Sequence, residues 1–138
     1  MTTLRTNSTA PPTALLCEDE ELIRELVRDV LEMEGFSVIA FSTADAGWTY
    51  LQKHLNEVSL LVSDIRMPGR LDGADLARLA SSACPNLHII LSSAYCASAD
   101  LPRLKHLVFL SKPWELERLM LFCRQAMEIH KKASSTKL

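Results

Sequence analysis

Short apolar runs alternate with amphipathic stretches through most of this chain. Thr13–Cys17, Phe36–Phe41, Val58–Val62, Leu87–Leu91 and Leu107–Leu110 are bounded by turn formers and too short for free-standing helices, so they read as buried strands. Between the first two, Leu22, Ile23, Leu26, Val27, Val30 and Leu31 recur at helical spacing, with Arg24, Glu25, Arg28, Asp29 and Glu32 on the other side. Gly35 fits the left-handed cap that ends such a helix. Ser42, with Asp45 three residues on, reads as the N-cap of a second helix through Trp48, Tyr50, Leu51 and Leu55. Leu76, Ala77, Leu79, Ala80 and Ala83 carry a third, stopped by Pro85, and Trp114–Lys132 is the last. Cys96–His106, interrupted by Pro102, has room for only a turn or two.

Strands alternating with helices predict an α/β fold: a doubly wound parallel sheet covered on both faces, its connections right-handed crossovers. The expected organisation is one domain over residues 13–130. A polar, Thr-rich leader ending in Pro-Pro, expected to be disordered, precedes it at residues 1–12, and a flexible tail follows at 131–138.

With 138 residues and 48% hydrophobic content, the chain can build a substantial core. A formal net charge of −2 gives no electrostatic footprint for nucleic acid, and no apolar run reaches the ~20 residues of a membrane helix. The four cysteines (Cys17, Cys84, Cys96 and Cys123) are widely separated, which favours reduced thiols in a cytoplasmic protein over a zinc site or disulfide framework. His54, His88, His106 and His130 show no metal-ligand spacing either.

The chemistry gathers where the strands end. Glu18-Asp19, Asp64, Ser93 and Lys112 follow or close the first, third, fourth and fifth apolar runs, and open parallel sheets bind ligands at that edge. Clustered carboxylates repel unless a cation neutralises them. Oxygen-only ligands suit a hard ion, Mg²⁺ above all. A carboxylate nucleophile flanked by a hydroxyl, an ammonium and Mg²⁺ makes a phosphoryl-transfer site. Of the two adjacent serines, alternation along the strand is expected to turn Ser92 away and leave Ser93 in the site.

Leu15-Leu16-Cys17-Glu18-Asp19-Glu20, Asp64-Ile65-Arg66-Met67-Pro68 with Asp72-Gly73, Ile90-Leu91-Ser92-Ser93-Ala94-Tyr95 and Phe109-Leu110-Ser111-Lys112-Pro113 together resemble the receiver domain of two-component response regulators. The resemblance spans roughly Thr13 to Ile129 and implies the flavodoxin-like strand order 2-1-3-4-5. It implies that Asp64 is the phosphoacceptor, charged from a histidine of a kinase or phosphotransfer protein. Asp19, Asp64 and the Arg66 carbonyl would bind Mg²⁺, with Glu18 acting through a metal-bound water. Ser93 and Lys112 would hold the phosphoryl oxygens, Phe109 would be the aromatic that moves with Ser93 on switching, and Lys112-Pro113 would be cis.

Four features depart from the family pattern. Glu18 stands at a position more often Asp, Ser93 replaces the commoner Thr, the loop after Met67-Pro68 is one residue longer, and the fourth helix is short or irregular. The implied function is a stand-alone phosphorylation switch or relay rather than an enzyme. An aspartate-nucleophile phosphatase uses similar groups, but typically carries a second Asp two residues past the nucleophile, where this chain has Arg66. A receiver that binds partners without phosphate is the remaining alternative.

On the last helix Leu116, Leu119, Met120, Cys123, Ala126 and Met127 form one arc expected to face the sheet. Leu121, Phe122 and Ile129 fall outside it, marking the fifth strand and last helix as a candidate homodimer or partner surface.

Overall fold

Five parallel strands lie in the order β2-β1-β3-β4-β5: β1 (Thr13–Cys17), β2 (Ser37–Phe41), β3 (Val58–Asp64), β4 (His88–Ser93) and β5 (Leu107–Ser111). Helices α1 (Glu21–Met33), α2 (Ala44–Lys53), α3 (Gly73–Ala83) and α4 (Leu116–Ser135) connect or follow them. This is the doubly wound parallel sheet expected from the sequence pattern, in the flavodoxin-like order that the resemblance implies. The computed structural model describes residues 10–94 and 101–135. Most of the expected leader, residues 95–100 of the weak segment with Cys96, and the end of the tail lie outside the described residues. Residues 101–106 lead into β5 without a helix.

Strand alternation divides the core into two layers. Ala14, Leu16, Leu60, Val62, Ile90 and Leu110 pack against α1 and α4, together with Val27, Val30, Leu31, Leu119 and Cys123. Leu15, Cys17, Leu61, Ile89 and Leu91 face the other way, onto Leu51 of α2 and Leu76, Ala77 and Ala80 of α3. Each buried Leu or Ile contributes about 1.5–3 kcal/mol through removal from water. Central strands buried on both faces must be apolar at nearly every position, which is why these runs lack the polar alternation of a one-sided sheet.

Helix α1 ends as the sequence foretold. Gly35 has φ +101°, and the amides of Gly35 and Phe36 bond to the carbonyls of Glu32 and Leu31, satisfying the last turn. Its buried face is narrower than the apolar pattern implied. Ile23, Val27, Val30 and Leu31 pack inward, whereas Leu22 is 84% exposed and Leu26 43% exposed. Helix α2 is capped by Thr43, whose hydroxyl accepts the Ala46 amide at 3.1 Å, rather than by Ser42. It stops at Lys53, so Leu55 lies beyond it. On α4, Leu119, Cys123, Ala126 and Met127 are buried as expected and Met120 packs partly against them. Leu116 is exposed instead, because it stands in the first turn. Phe122 was expected outside the arc, but it packs partly against the core with the Arg118 guanidinium over its ring.

Candidate functional site

The carboxyl edge of the sheet assembles the site from four chain segments. Glu18 extends β1 by one residue, its amide bonding to the Phe41 carbonyl at 3.0 Å. Its side chain turns back to accept the Glu20 amide at 3.1 Å, and its carbonyl accepts Nη1 of Arg24 at 2.8 Å. Asp19 follows in the exposed turn. Asp64 is the last residue of β3, and the next amide, that of Ile65, bonds to the Ser92 carbonyl of β4 at 2.9 Å. Lys112 follows β5, its amide on the Ser93 carbonyl at 3.0 Å, and the Lys112-Pro113 bond is cis as expected.

These anchors bring the Lys112 ammonium 3.3 Å from Oε1 of Glu18 and 3.4 Å from Oδ2 of Asp64. Ligand oxygens of Glu18, Asp19 and Asp64 all lie within 4.8 Å of one another. Opposite ligands of an octahedral Mg²⁺ stand about 4.1 Å apart, so three oxygens at this spacing fit around one such ion with small side-chain adjustments. The chemistry of the donor set agrees, since every ligand is a hard carboxylate oxygen.

Electrostatics point the same way. Burial pushes the Asp64 carboxyl above its usual range, and the Asp19 charge adds to the shift; Lys112 and the Ile65 amide counter it only in part. Glu18 is raised for the same principal reason, against the pull of the Glu20 amide and Lys112. Burial works against the charge on Lys112, but Glu18 and Asp64 more than offset it and raise its pKa. Three carboxylates facing one ammonium make an electron-rich, partly dehydrated pocket suited to a cation.

Glu18, Asp19, Asp64 and Lys112, all singled out from the sequence, thus come together. Ser93 closes β4, buried and tied through its carbonyl to Lys112. Ser92 stands one residue before Ser93. It is the parallel register partner of Asp64 and lines a narrow cavity of about 10 Å³ with Glu18 and Asp64. Arg66 lies exposed in the turn after β3. Phe109 is half-buried on the α2–α3 side of the sheet, with Leu104 and Leu107. Cys17, beside the acidic pair, is fully buried and its thiol is pushed up to about 12, which fits packing rather than redox chemistry.

Two side chains that support the site were not found from the sequence. Arg24 belongs by pattern to the solvated face of α1, yet it holds the Glu18 carbonyl. Asp45 reads as a helix-start residue, yet its carboxylate accepts the amides of Arg70 and Leu71. A contact 25 or 26 residues away leaves no local signal.

The family model described as the response regulator receiver domain matches residues 14–124. The response regulator receiver protein CpdR of Brucella abortus is 35% identical over 111 residues, covering 77% of this chain and 88% of that protein. The C4-dicarboxylate transport transcriptional regulatory protein DctD of Rhizobium meliloti is 30% identical over 125 residues, 86% of this chain but 26% of the relative. The chain likewise spans 24% of the response regulator protein FleR of Pseudomonas aeruginosa. Among solved structures, a response regulator receiver protein from Sinorhizobium medicae superposes with a TM-score of 0.75 at 27% identity, covering 86% of this chain and 95% of that one.

Proposed function

This chain belongs to the family of response regulator receiver domains, and from that premise we propose that it is a phosphorylation switch in which Asp64 takes a phosphoryl group from a phosphohistidine. The donor is a histidine kinase or a phosphotransfer protein. The observation that carries this reading is the Lys112 ammonium 3.4 Å from Oδ2 of Asp64, inside a cluster of three carboxylates.

Glu18, Asp19 and Asp64, with the Arg66 carbonyl, are the residues that would hold Mg²⁺, Glu18 through a bound water. The ion would supply positive charge to the phosphoryl oxygens as they approach the carboxylates. A carboxylate oxygen of Asp64 attacks phosphorus, forming the new P–O bond as the P–N bond of the donor breaks. The bonding pair stays on the imidazole nitrogen, which then takes a proton. Lys112 moves its ion pairs from the carboxylates to the incoming oxygens, and the Ser93 hydroxyl donates to another. Phosphorylation exchanges the single negative charge of Asp64 for the greater charge of the phosphoryl group, which Lys112 and the ion would answer.

The switch acts by partner binding or by passing the phosphoryl group on, and the only reactions of the chain itself are its phosphorylation and dephosphorylation. Movement of Ser93 towards the phosphoryl group would draw Phe109 inward. The affected surface is β5 with α4, where Leu121 and Ile129 are about half exposed and a homodimer or protein target would bind. A cytoplasmic location accords with Cys17, Cys84 and Cys123 standing as free thiols, and among the described residues no helix is long and apolar enough to cross a membrane.

Incubation with a small acyl phosphate and Mg²⁺, followed by mass spectrometry, tests the assignment. The adduct is expected on Asp64, and Asp64→Asn is expected to remain unlabelled. Equal labelling of that variant overturns the reading.

A further inference from the structure

The loop that leaves the phosphoacceptor is anchored at three points. At its base the Ile65 amide bonds to Ser92, and the Gly73 amide returns to the Ile65 carbonyl at 2.7 Å. At its end the Asp72–Asp75 capping box starts α3, each side chain accepting the other residue's amide. The third anchor comes from a different element. Asp45, in the first turn of α2, accepts the Arg70 amide on Oδ2 at 2.9 Å and the Leu71 amide on Oδ1 at 2.8 Å.

Asp45 is not needed to cap its own helix, since Thr43 does that. Both its carboxylate oxygens are turned outward onto the loop. The loop is shaped to receive them: Gly69 has φ +113°, and a Cβ there would fall 2.5 Å from Oδ2 of Asp45. Bonds from two backbone amides to one carboxylate are charge-assisted and directional, and they hold this carboxyl below its usual range. Between the strand end and the Gly69–Leu71 turn lie only Ile65, Arg66, Met67 and Pro68, of which Ile65 and Met67 pack partly against the α2–α3 core.

We propose that Asp45 is a positioning residue for the site: by clamping the Gly69–Leu71 turn to α2 it sets where the Arg66 backbone stands relative to Asp64, and thereby the affinity for Mg²⁺. This rests on the metal and phosphoacceptor roles proposed above. Residues that orient metal ligands without touching the ion commonly change affinity about 10–100-fold when removed. Asp45 and the turn are partly exposed, so water can replace the lost bonds. Its loss therefore loosens the loop more than it destabilises the fold.

The test uses the full chain and the variants Asp45→Ala, Asp45→Asn and Gly69→Ala. Without metal, amide hydrogen exchange at Arg70 and Leu71 is expected to rise about tenfold or more in Asp45→Ala, with β3 and β4 amides unchanged. Mg²⁺ titrations followed by amide chemical shifts are expected to give a Kd about tenfold weaker for Asp45→Ala. Asp45→Asn, which keeps one acceptor and the size, is expected to fall between, and it decides the matter if the alanine variant does not fold. Gly69→Ala displaces the turn from the other side and is expected to match Asp45→Ala. A Kd that stays at the parent value in the folded Asp45 variants overturns the inference, as does unchanged exchange at the two amides. Asp19→Ala separates the two failures. If it abolishes Mg²⁺ binding while the Asp45 variants bind normally, only the clamp is wrong. If it leaves binding unchanged, the site reading has failed and takes the clamp's role in metal binding with it.

Discussion

The Lys112 ammonium reaches across the end of β4 to stand 3.4 Å from Oδ2 of Asp64, joining the residue that closes β3 to the one that follows β5. Lys112 is shared with Glu18, so one cation answers two buried carboxylates and the nearby Asp19. Burial, with a smaller share from the neighbouring carboxylates, raises Glu18 and Asp64, and the stability consequences have a definite sign.

Glu18 and Asp64 both hold their protons to higher pH in the folded chain than in the unfolded one. The folded state thus binds more protons in that window, and stability falls as pH climbs from the usual carboxylate range, about 4, through the raised folded values. Lys112 acts oppositely: its raised pKa contributes stability throughout neutral pH, lost only as pH rises past that value. Asp64→Asn is expected to raise the metal-free Tm at pH 7 by roughly 2–6 °C, the gain shrinking towards pH 4. Calorimetry across pH checks this, and a lower Tm for the variant at pH 7 contradicts it.

Mg²⁺ is expected to reverse that ranking. At ten times its Kd the ion stabilises the parent chain by about 1.4 kcal/mol. Asp19→Ala is expected to lose this gain while its metal-free Tm changes little, because Asp19 is exposed. Thermal melts with and without Mg²⁺ decide it; a parent-like response in the variant places the ion elsewhere.

Gly47 and Cys17 touch across the α2–sheet interface, where a Cβ on Gly47 would meet the Cys17 sulfur. Gly47→Ala is expected to cost about 1–3 kcal/mol by overpacking. Adding Cys17→Ala removes the obstruction, so the double variant is expected to be more stable than the sum of the single changes. Strict additivity in urea melts would falsify the contact.

On the outer face of α4, Leu121 and Ile129 are 48% and 46% exposed. Ile129 and Phe122 line a cavity of about 170 Å³ with Leu107 and Val108 of β5. Phe122 also serves the core, so the clean test is Leu121→Glu with Ile129→Glu. Sedimentation with and without an acyl phosphate is expected to show weakened association in the phosphorylated state and an unchanged fold. Parent-like behaviour in both states would make this face ordinary surface.

How much of this was legible in the chain depends on the range of the interaction. The strands read correctly because burial on both faces forces continuous apolar runs, and Gly35 because only a left-handed residue closes that helix end. Glu18, Asp64, Ser93 and Lys112 were visible because each ends or follows such a run, and parallel strands put their ends on one edge. Receiver motifs at those ends then carried the family assignment.

Where register or distant partners matter, the chain was silent. That Ser92 stands level with Asp64 follows only from the pairing of β3 with β4. Leu22 and Leu26 look like core until the sheet's position restricts the buried face of α1 to Ile23, Val27, Val30 and Leu31. The bonds of Arg24 to the Glu18 carbonyl and of Asp45 to the Arg70 and Leu71 amides are made to backbone groups, which every residue carries alike. Local pattern thus determined which elements form and which chemistry collects at their ends. Tertiary structure decided which side chains hold that chemistry in place, because hydrogen bonds to backbone depend on where segments meet and not on which residues they contain.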